Sequence, residues 1–330
     1  MMQDTELVQV LRGDALDCVH RGHVVLLRHD GEVISERGDS QTMVFMRSLA
    51  KPFQALAVVE SGTAQRFDIT SAELALMCGS HNGSTEQTHM LEALLHRIGV
   101  QVSDLHCGTL TPIDRKTAEQ LTRDGQKPTA LNHPCSGKHT GMLALCKTKG
   151  WEIADYTHAD HPAQQYISQI VRGALRLAAD DFHLALDGCS VPTYGVPLLN
   201  VALAFADLGT AMLKTENSAA RTVALAMHQH PLLMSGQRRM DSALMLATNG
   251  RVIAKDGTEG VFGCAVPERG VGLALKISDG SNRAIMPIVT KVLRDFDLIT
   301  ADEAAALTVQ FPLDIKIHTG EIAGEMRVLV

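Results

Sequence analysis

Apolar and polar residues alternate on both sides of Asp30-Gly31 in "HVVLLRHDGEVISE" (His23 to Glu36). A period of two is the pattern of a strand with one covered face, and Asp-Gly is a preferred two-residue turn, so the stretch predicts a β-hairpin. The period then lengthens to three or four, and helices are predicted over 48–61, 71–79 and 85–98. The third opens with "STEQ", where Ser84 and Gln87 have the spacing of a capping box. Further helical patterns cover 115–124, 137–148, 162–178, 196–207 and 216–229. Past residue 250 the short period returns. "RVIA" (251–254), "VFGCAV" (261–266) and "GVGLALKIS" (270–278) read as strands separated by glycine-bearing turns. Helices follow at 281–296 and 302–309, and "AGEMRVLV" reads as a closing strand.

Strands at both ends with helices between them define an α+β plan, not the regular alternation of a doubly wound sheet. The expected fold is an antiparallel sheet built from both chain ends and packed with helices, plus a helical lobe. Residues 1–330 then form a single two-lobed domain, with the sheet lobe over about 1–45 and 250–330 and the helical lobe over about 46–249. No Pro/Ser-rich linker and no internal repeat interrupts it.

Composition narrows the partners. The 330 residues are 45% hydrophobic and 20% charged, enough for a sizeable core, and the net charge of -7 disfavours nucleic acid and anionic membranes. The opening "MMQDTELVQVLRGD" lacks the apolar run of a secretory signal, and no uncharged stretch approaches the ~20 residues of a membrane helix. The seven cysteines (18, 78, 107, 135, 146, 189, 264) are odd in number and scattered, so buried thiols and a cytoplasmic location are expected.

The first candidate chemistry lies in "VFMRSLAKPFQALAVVESG". Ser48 and Lys51 are three residues apart, which on a helix puts them on one face. A serine hydroxyl attacks only when a base removes its proton, and a lysine serves as that base only when neutral. Burial, the adjacent Arg47 and a helix N-terminus all favour the neutral amine. Lys51-Pro52 suits a first helical turn, since proline deeper inside would break the helix. By itself S-x-x-K is weak, expected about once by chance in a chain this long, and a capping serine beside a solvated lysine explains it equally well. "SHN" (Ser80-His81-Asn82) and "KDG" (Lys255-Asp256-Gly257) change the balance. S-x-x-K, S-x-N and K-x-G in that order are the serine β-lactamase and penicillin-binding set. Asn82 would hold a substrate amide, and Ser80 with Lys255 would form a second Ser-Lys pair. Read singly, "SHN" and "KDG" are turns.

A second dense stretch is "LNHPCSGKHTGMLALC", with Cys135, Ser136, Lys138 and His139 where a loop enters a helix; "LDGCSVPTYGVP" supplies Asp187, Cys189 and Ser190. Two thiolates and a nitrogen suit zinc, but no C-x-x-C or H-x-x-x-H spacing is present, and on spacing alone buried thiols are the simpler account. A Cys135 nucleophile with His139 or His133 is a third option.

"RSLAKPFQA", "CGSHNG", "NHPCSGKHTGML" and "DGCSVPTYGVPL", with "KDGTEGVFG" and "LALKISDGSNRA", together resemble the Rhizobium-type (class 3) L-asparaginases over nearly the whole chain. The resemblance implies a fold similar to glutaminases and serine β-lactamases, a homodimer, and hydrolysis of L-asparagine to L-aspartate and ammonia. It implies Ser48 as nucleophile with Lys51 as base, and Ser80 with Lys255 as the supporting pair. Arg47 and Asp187 match residues near the substrate, joined by Asn82 and His139. It also implies a zinc site on Cys135, Lys138 and Cys189, where the metal tunes substrate binding and does not activate water. Lys276 in "LALKISDG" competes with Lys255 for the second lysine. Alternatives are a glutaminase, a β-lactamase or peptidoglycan peptidase, and a non-catalytic zinc- or metabolite-binding protein.

Overall fold

The computed structural model describes residues 4–330. The chain opens with β1 (Thr5–Arg12), β2 (Ala15–Arg28), β3 (Val33–Arg37) and β4 (Met43–Phe45). Helices α1 (Lys51–Glu60), α2 (Thr63–Arg66), α3 (Ser71–Cys78), α4 (Thr85–Ile98), α5 (Arg115–Arg123), α6 (Ser136–Lys149) and α7 (Pro162–Ala174) follow. Next come β5 (His183–Leu186), β6 (Pro192–Pro197), α8 (Leu198–Leu213), α9 (Ala219–Gln229), α10 (Pro231–Ser235) and α11 (Met240–Ala247). The chain closes with β7 (Ile253–Gly257), β8 (Val261–Val266), β9 (Val271–Ile277), α12 (Ile285–Asp295), α13 (Ala301–Gln310), β10 (Asp314–Lys316) and β11 (Ile322–Val328). Two compact units result: one holds the chain through Leu49, Val196–Thr210 and Ala243–Val330, the other Ala50–Gly195 and Ala211–Ser242.

In the first unit an eight-stranded antiparallel sheet runs β10-β11-β1-β2-β9-β8-β7, with β3 also on β2. The hairpin at Asp30-Gly31 forms as β2–β3, and the last strand pairs with the first, Val8 opposite Val328. β2 is long enough to serve two partners along one edge, β1 through Gly22 and β3 from Val24, while β9 pairs its other edge. Val24, Val25, Leu26 and Leu27 are all buried in succession, so this part of β2 is covered on both faces. Glycines set how closely a helix approaches. A Cβ on Gly272 would stand 2.0 Å from the Ala202 carbonyl, and one on Gly263 would stand 2.3 Å from the Phe205 ring. The bare strand surface therefore lets α8 lie directly on β8 and β9.

The second unit is built around helices buried on every side. Lys51 to Val58 of α1 and Ser136 to Cys146 of α6 are buried without interruption. The helix expected over 48–61 is two pieces: a 3-10 turn over Arg47–Ala50 precedes α1, which begins at Lys51 because Pro52 fits only a first turn. The capping box at Ser84 and Gln87 forms. The helix expected over 162–178 stops at Ala174, and the one expected over 196–207 runs on to Leu213. Strands β5 and β6 pair antiparallel, His183 opposite Gly195 and Leu186 opposite Pro192, in a segment whose Pro and Gly content hides the strand pattern.

Candidate active site

Two loops of the second unit, one with Gly79 and Ser80 and one with Pro134, converge on the start of α1. Lys51 is fully buried, and its Nζ donates to the Gly79 carbonyl (2.8 Å), Ser80 Oγ (2.9 Å) and the Pro134 carbonyl (3.2 Å). Both carbonyls can only accept, so the hydroxyl is the one group of these three able to return a proton to the amine. Ser80 sits in the loop that leaves α3 at Gly79, as the sequence placed it.

His81 is a clip, not a base. Its Nδ1 accepts the Gly83 N–H (3.1 Å), which leaves the proton on Nε2 to go to Ser136 Oγ at 2.8 Å, and Ser136 passes its own to the Leu131 carbonyl. Burial first, then the charge of Lys51, depresses its pKa to about 3, so the ring is neutral. Asn82 is buried with Oδ1 unpartnered among the described residues, and its Nδ2 fills the space beside Gly236, where a Cβ would stand 2.3 Å away. Gly236 has φ +95, which L side chains rarely adopt, so Asn82 is seated on a position that favours glycine.

The β5–β6 hairpin carries Cys189 in a tight turn closed by Ser190 N–H to the Asp187 carbonyl (3.0 Å), with Ser190 in the left-handed region at φ 72. Lys138, in the first turn of α6, places Nζ 3.0 Å from Cys189 Sγ and 3.8 Å from Asp187 Oδ2. Asp187 Oδ1 accepts the Gly188 N–H (2.9 Å), and Cys189 Sγ donates to Oδ2 (3.6 Å). Interaction with Cys189 pulls Cys135 well below the usual thiol range, and the same interaction, with burial, pushes Cys189 up. Burial opposes the charge on Lys138, but Cys189, Cys135 and Asp187 outweigh it and keep the amine protonated. Among the described residues no group of three or more His, Cys, Asp or Glu is arranged to hold a metal ion, so a metal here depends on the lysine. The donors themselves, one thiolate, one thiol and one amine in contact, suit zinc once two protons leave.

His139, the next residue, is also buried. Its Nδ1 is 2.7 Å from Tyr156 Oη, which accepts the His106 N–H at 2.9 Å, and its Nε2 has no hydrogen-bond partner among the described residues. Burial, then the adjacent Lys138 charge, keeps it neutral. Sequence reasoning missed Tyr156 and Gly236 and gave Ser136 no partner, because all three act through contacts between segments far apart in the chain.

The remaining candidates lie in the first unit. Ser48 is half-buried in the 3-10 turn, and Arg47 before it has φ 51. Lys255 is fully buried on β7, bonded to the Asp256 carbonyl (2.8 Å) and to the Asp256 carboxylate. Lys276, on β9, is half-buried and donates to the Glu259 carbonyl.

An antiparallel sheet with helices, and a helical unit that holds a buried lysine-serine contact, define an α+β protein. The chain matches the model of the L-asparaginase II family over residues 8–328, and it belongs to that family. Membership makes it an amidohydrolase acting on L-asparagine. No curated protein matches it. Among solved structures it is similar to a β-lactamase from Mycobacterium bovis, at 15% identity and TM-score 0.44, covering 83% of this chain and 94% of that one. It is similar to a putative β-lactamase from Bacteroides dorei at 12% identity and TM-score 0.46, covering 83% and 93%. It is also similar to EstCE1, a hydrolase with promiscuous acyltransferase activity, at 15% identity and TM-score 0.43, covering 87% and 93%. No helix among the described residues is long and apolar enough to cross a membrane.

Proposed function

We propose that the chain hydrolyses L-asparagine through an acyl-enzyme formed on Ser48, with Lys51 as base and Ser80 as proton partner of Lys51. The observation that carries this reading is the bonding of Lys51: a buried amine whose two carbonyl partners fix its direction and whose third partner is a hydroxyl.

Lys51, once its ammonium has released a proton to become a neutral amine, takes the Ser48 proton as Oγ bonds to the side-chain amide carbon, and the carbonyl π pair moves onto oxygen. Backbone N–H groups at the helix start, that of Ser48 among them, are the donors offered to this oxyanion; one such donor contributes about 3–4 kcal/mol in hydrolases. Collapse breaks the C–N bond, and the proton held by Lys51, exchangeable with Ser80, goes to the departing nitrogen as ammonia forms. Water then gives a proton to Lys51, its oxygen bonds to the ester carbon, and Ser48 leaves with that proton as aspartate is released. Arg47 pairs with the substrate α-carboxylate, and Asn82 Oδ1, buried and unpartnered, accepts from the substrate amide. Lys255, bonded to Asp256, is the lysine that pairs with Ser80 in the supporting role the class 3 resemblance implies.

Cys135, Lys138 and Cys189 are the residues that would hold zinc, which when bound would supply a fixed positive charge. Asp187 steadies both Lys138 and Cys189, and His139 presents its Nε2 from the same turn. We read the protein as a cytoplasmic homodimer of the class 3 type. Seven free cysteines support a reducing compartment, and the dimer rests on the resemblance. The test is ammonia release from L-asparagine by the wild type beside Ser48→Ala and Lys51→Ala.

A further inference from the structure

The class 3 resemblance puts Asp187 near the substrate, where a carboxylate would suit an α-ammonium, yet this carboxylate already receives the Gly188 N–H and the Cys189 thiol and faces Lys138. Another carboxylate in the first unit is placed for that work. Glu259 occupies the three-residue link between β7 and β8, in the "KDGTEGVFG" motif that the mechanism above leaves partly unused.

Its backbone is tightly held. Glu259 and Gly260 are both left-handed, at φ 64 and φ 68, a pair of positions where Asn or Gly before Gly is the ordinary choice. The Glu259 carbonyl accepts from Lys276 Nζ, and the Gly260 carbonyl accepts the Ile277 N–H at 2.8 Å. Its side chain is the opposite case. The carboxylate is exposed, lies against Gly280, where a Cβ would stand 2.9 Å from Oε2, and makes no hydrogen bond or salt bridge among the described residues.

The link also leads back to the nucleophile. Gly257, two residues before Glu259, is so close to the 3-10 turn that a Cβ there would stand 2.7 Å from Leu49 Cδ1 and 3.2 Å from the Met46 carbonyl, the residues that flank Arg47 and Ser48. Lys276 joins the two sides, bonded to Glu259 and near enough to Arg47 for their charges to oppose one another. Arg47 and Lys276, with the Glu259 carboxylate close enough to Lys276 for their charges to attract, lie by the link that touches the turn carrying Ser48, and such a set complements a zwitterion with an adjacent carboxylate and ammonium. A glutamate at a left-handed turn position where asparagine fits better is explained when its charge is used.

We propose that Glu259 recognises the α-ammonium group of an α-amino-acid substrate, with Arg47 and Lys276 taking the α-carboxylate. The proposal rests on the placement of Arg47 and Ser48 given above, and it makes Glu259 a specificity residue with no part in bond breaking.

The experiment is calorimetric titration of wild type, Glu259→Gln and Glu259→Asn with L-aspartate and with succinate, which lacks only the ammonium. Binding is read without turnover, so failure of the hydrolytic reading and failure of this one are separable. Glu259→Gln is expected to weaken L-aspartate by roughly 10- to 100-fold, the range for losing one charged hydrogen bond. Succinate affinity is expected to stay within about twofold. Glu259→Asn is expected to lose L-aspartate in the same way while melting at the same or a higher temperature, because asparagine is the better left-handed residue. Equal weakening of both ligands, unchanged L-aspartate affinity in Glu259→Gln, or wild-type protein that binds neither ligand would each overturn the proposal.

Discussion

Lys51 Nζ stands 2.9 Å from Ser80 Oγ, and the lysine is fully buried. The contact joins the first and second sequence motifs in one unit of the fold, a pairing that neither motif shows alone. If Ser80 carries the proton of Lys51, Ser80→Ala should lower kcat by roughly 10²- to 10⁴-fold, the usual weight of one acid–base partner, with a smaller change in KM. Steady-state ammonia release measures both, and an unchanged kcat would make Ser80 a structural hydroxyl.

His81 should make the fold sensitive to acid. Its folded pKa, about 3, is depressed from the ordinary 6.5, so between those values the unfolded chain binds a proton that the folded chain does not. Stability therefore rises with pH across that window and is lost as pH falls, by about 1.4 kcal/mol per unit for one such group. His139, also held neutral, adds in the same direction. Denaturant midpoints from pH 6.5 downward should flatten in His81→Gln by one proton's share. An unaltered slope would place the acid sensitivity elsewhere.

Zinc uptake should be steeply pH-dependent. Binding to Cys135, Lys138 and Cys189 must displace the protons now held on Lys138 and Cys189, so affinity should rise with pH. Chelator competition at pH 6 and pH 8 reads this directly. Lys138→Met, which leaves two thiols, should weaken binding at both values; retained affinity in that variant would remove the lysine from the ligand set.

Gly272 is a packing prediction. With the Ala202 carbonyl 2.0 Å from where a Cβ would sit, Gly272→Ala must push α8 off the sheet. The cost should be about 1–3 kcal/mol by urea unfolding. Wild-type stability would mean that helix and strand separate without penalty.

Local signals were the legible part of the fold. The Asp30-Gly31 hairpin, the Ser84 cap and the strands after residue 250 follow from period and turn chemistry, and those elements form close to where the pattern puts them. The two-sided burial of Val24 to Leu27 was not legible, because the second cover comes from elements distant in sequence. The β5–β6 hairpin escaped because Pro192, Gly195 and Pro197 break the strand pattern, although the turn it closes carries Cys189. In the site, spacing singled out Lys51 and Ser80, but the bond between them spans 29 residues and needs the fold to be seen. The role of His81 as a clip depends on Ser136, which is 55 residues away.

The most direct test of the account is ammonia release from L-asparagine by wild-type protein and Ser48→Ala, each shown to be folded by its melting transition. An active wild type and a folded variant with no turnover above background are expected. Activity retained in Ser48→Ala would contradict this and would move the nucleophile to another hydroxyl, Ser80 first.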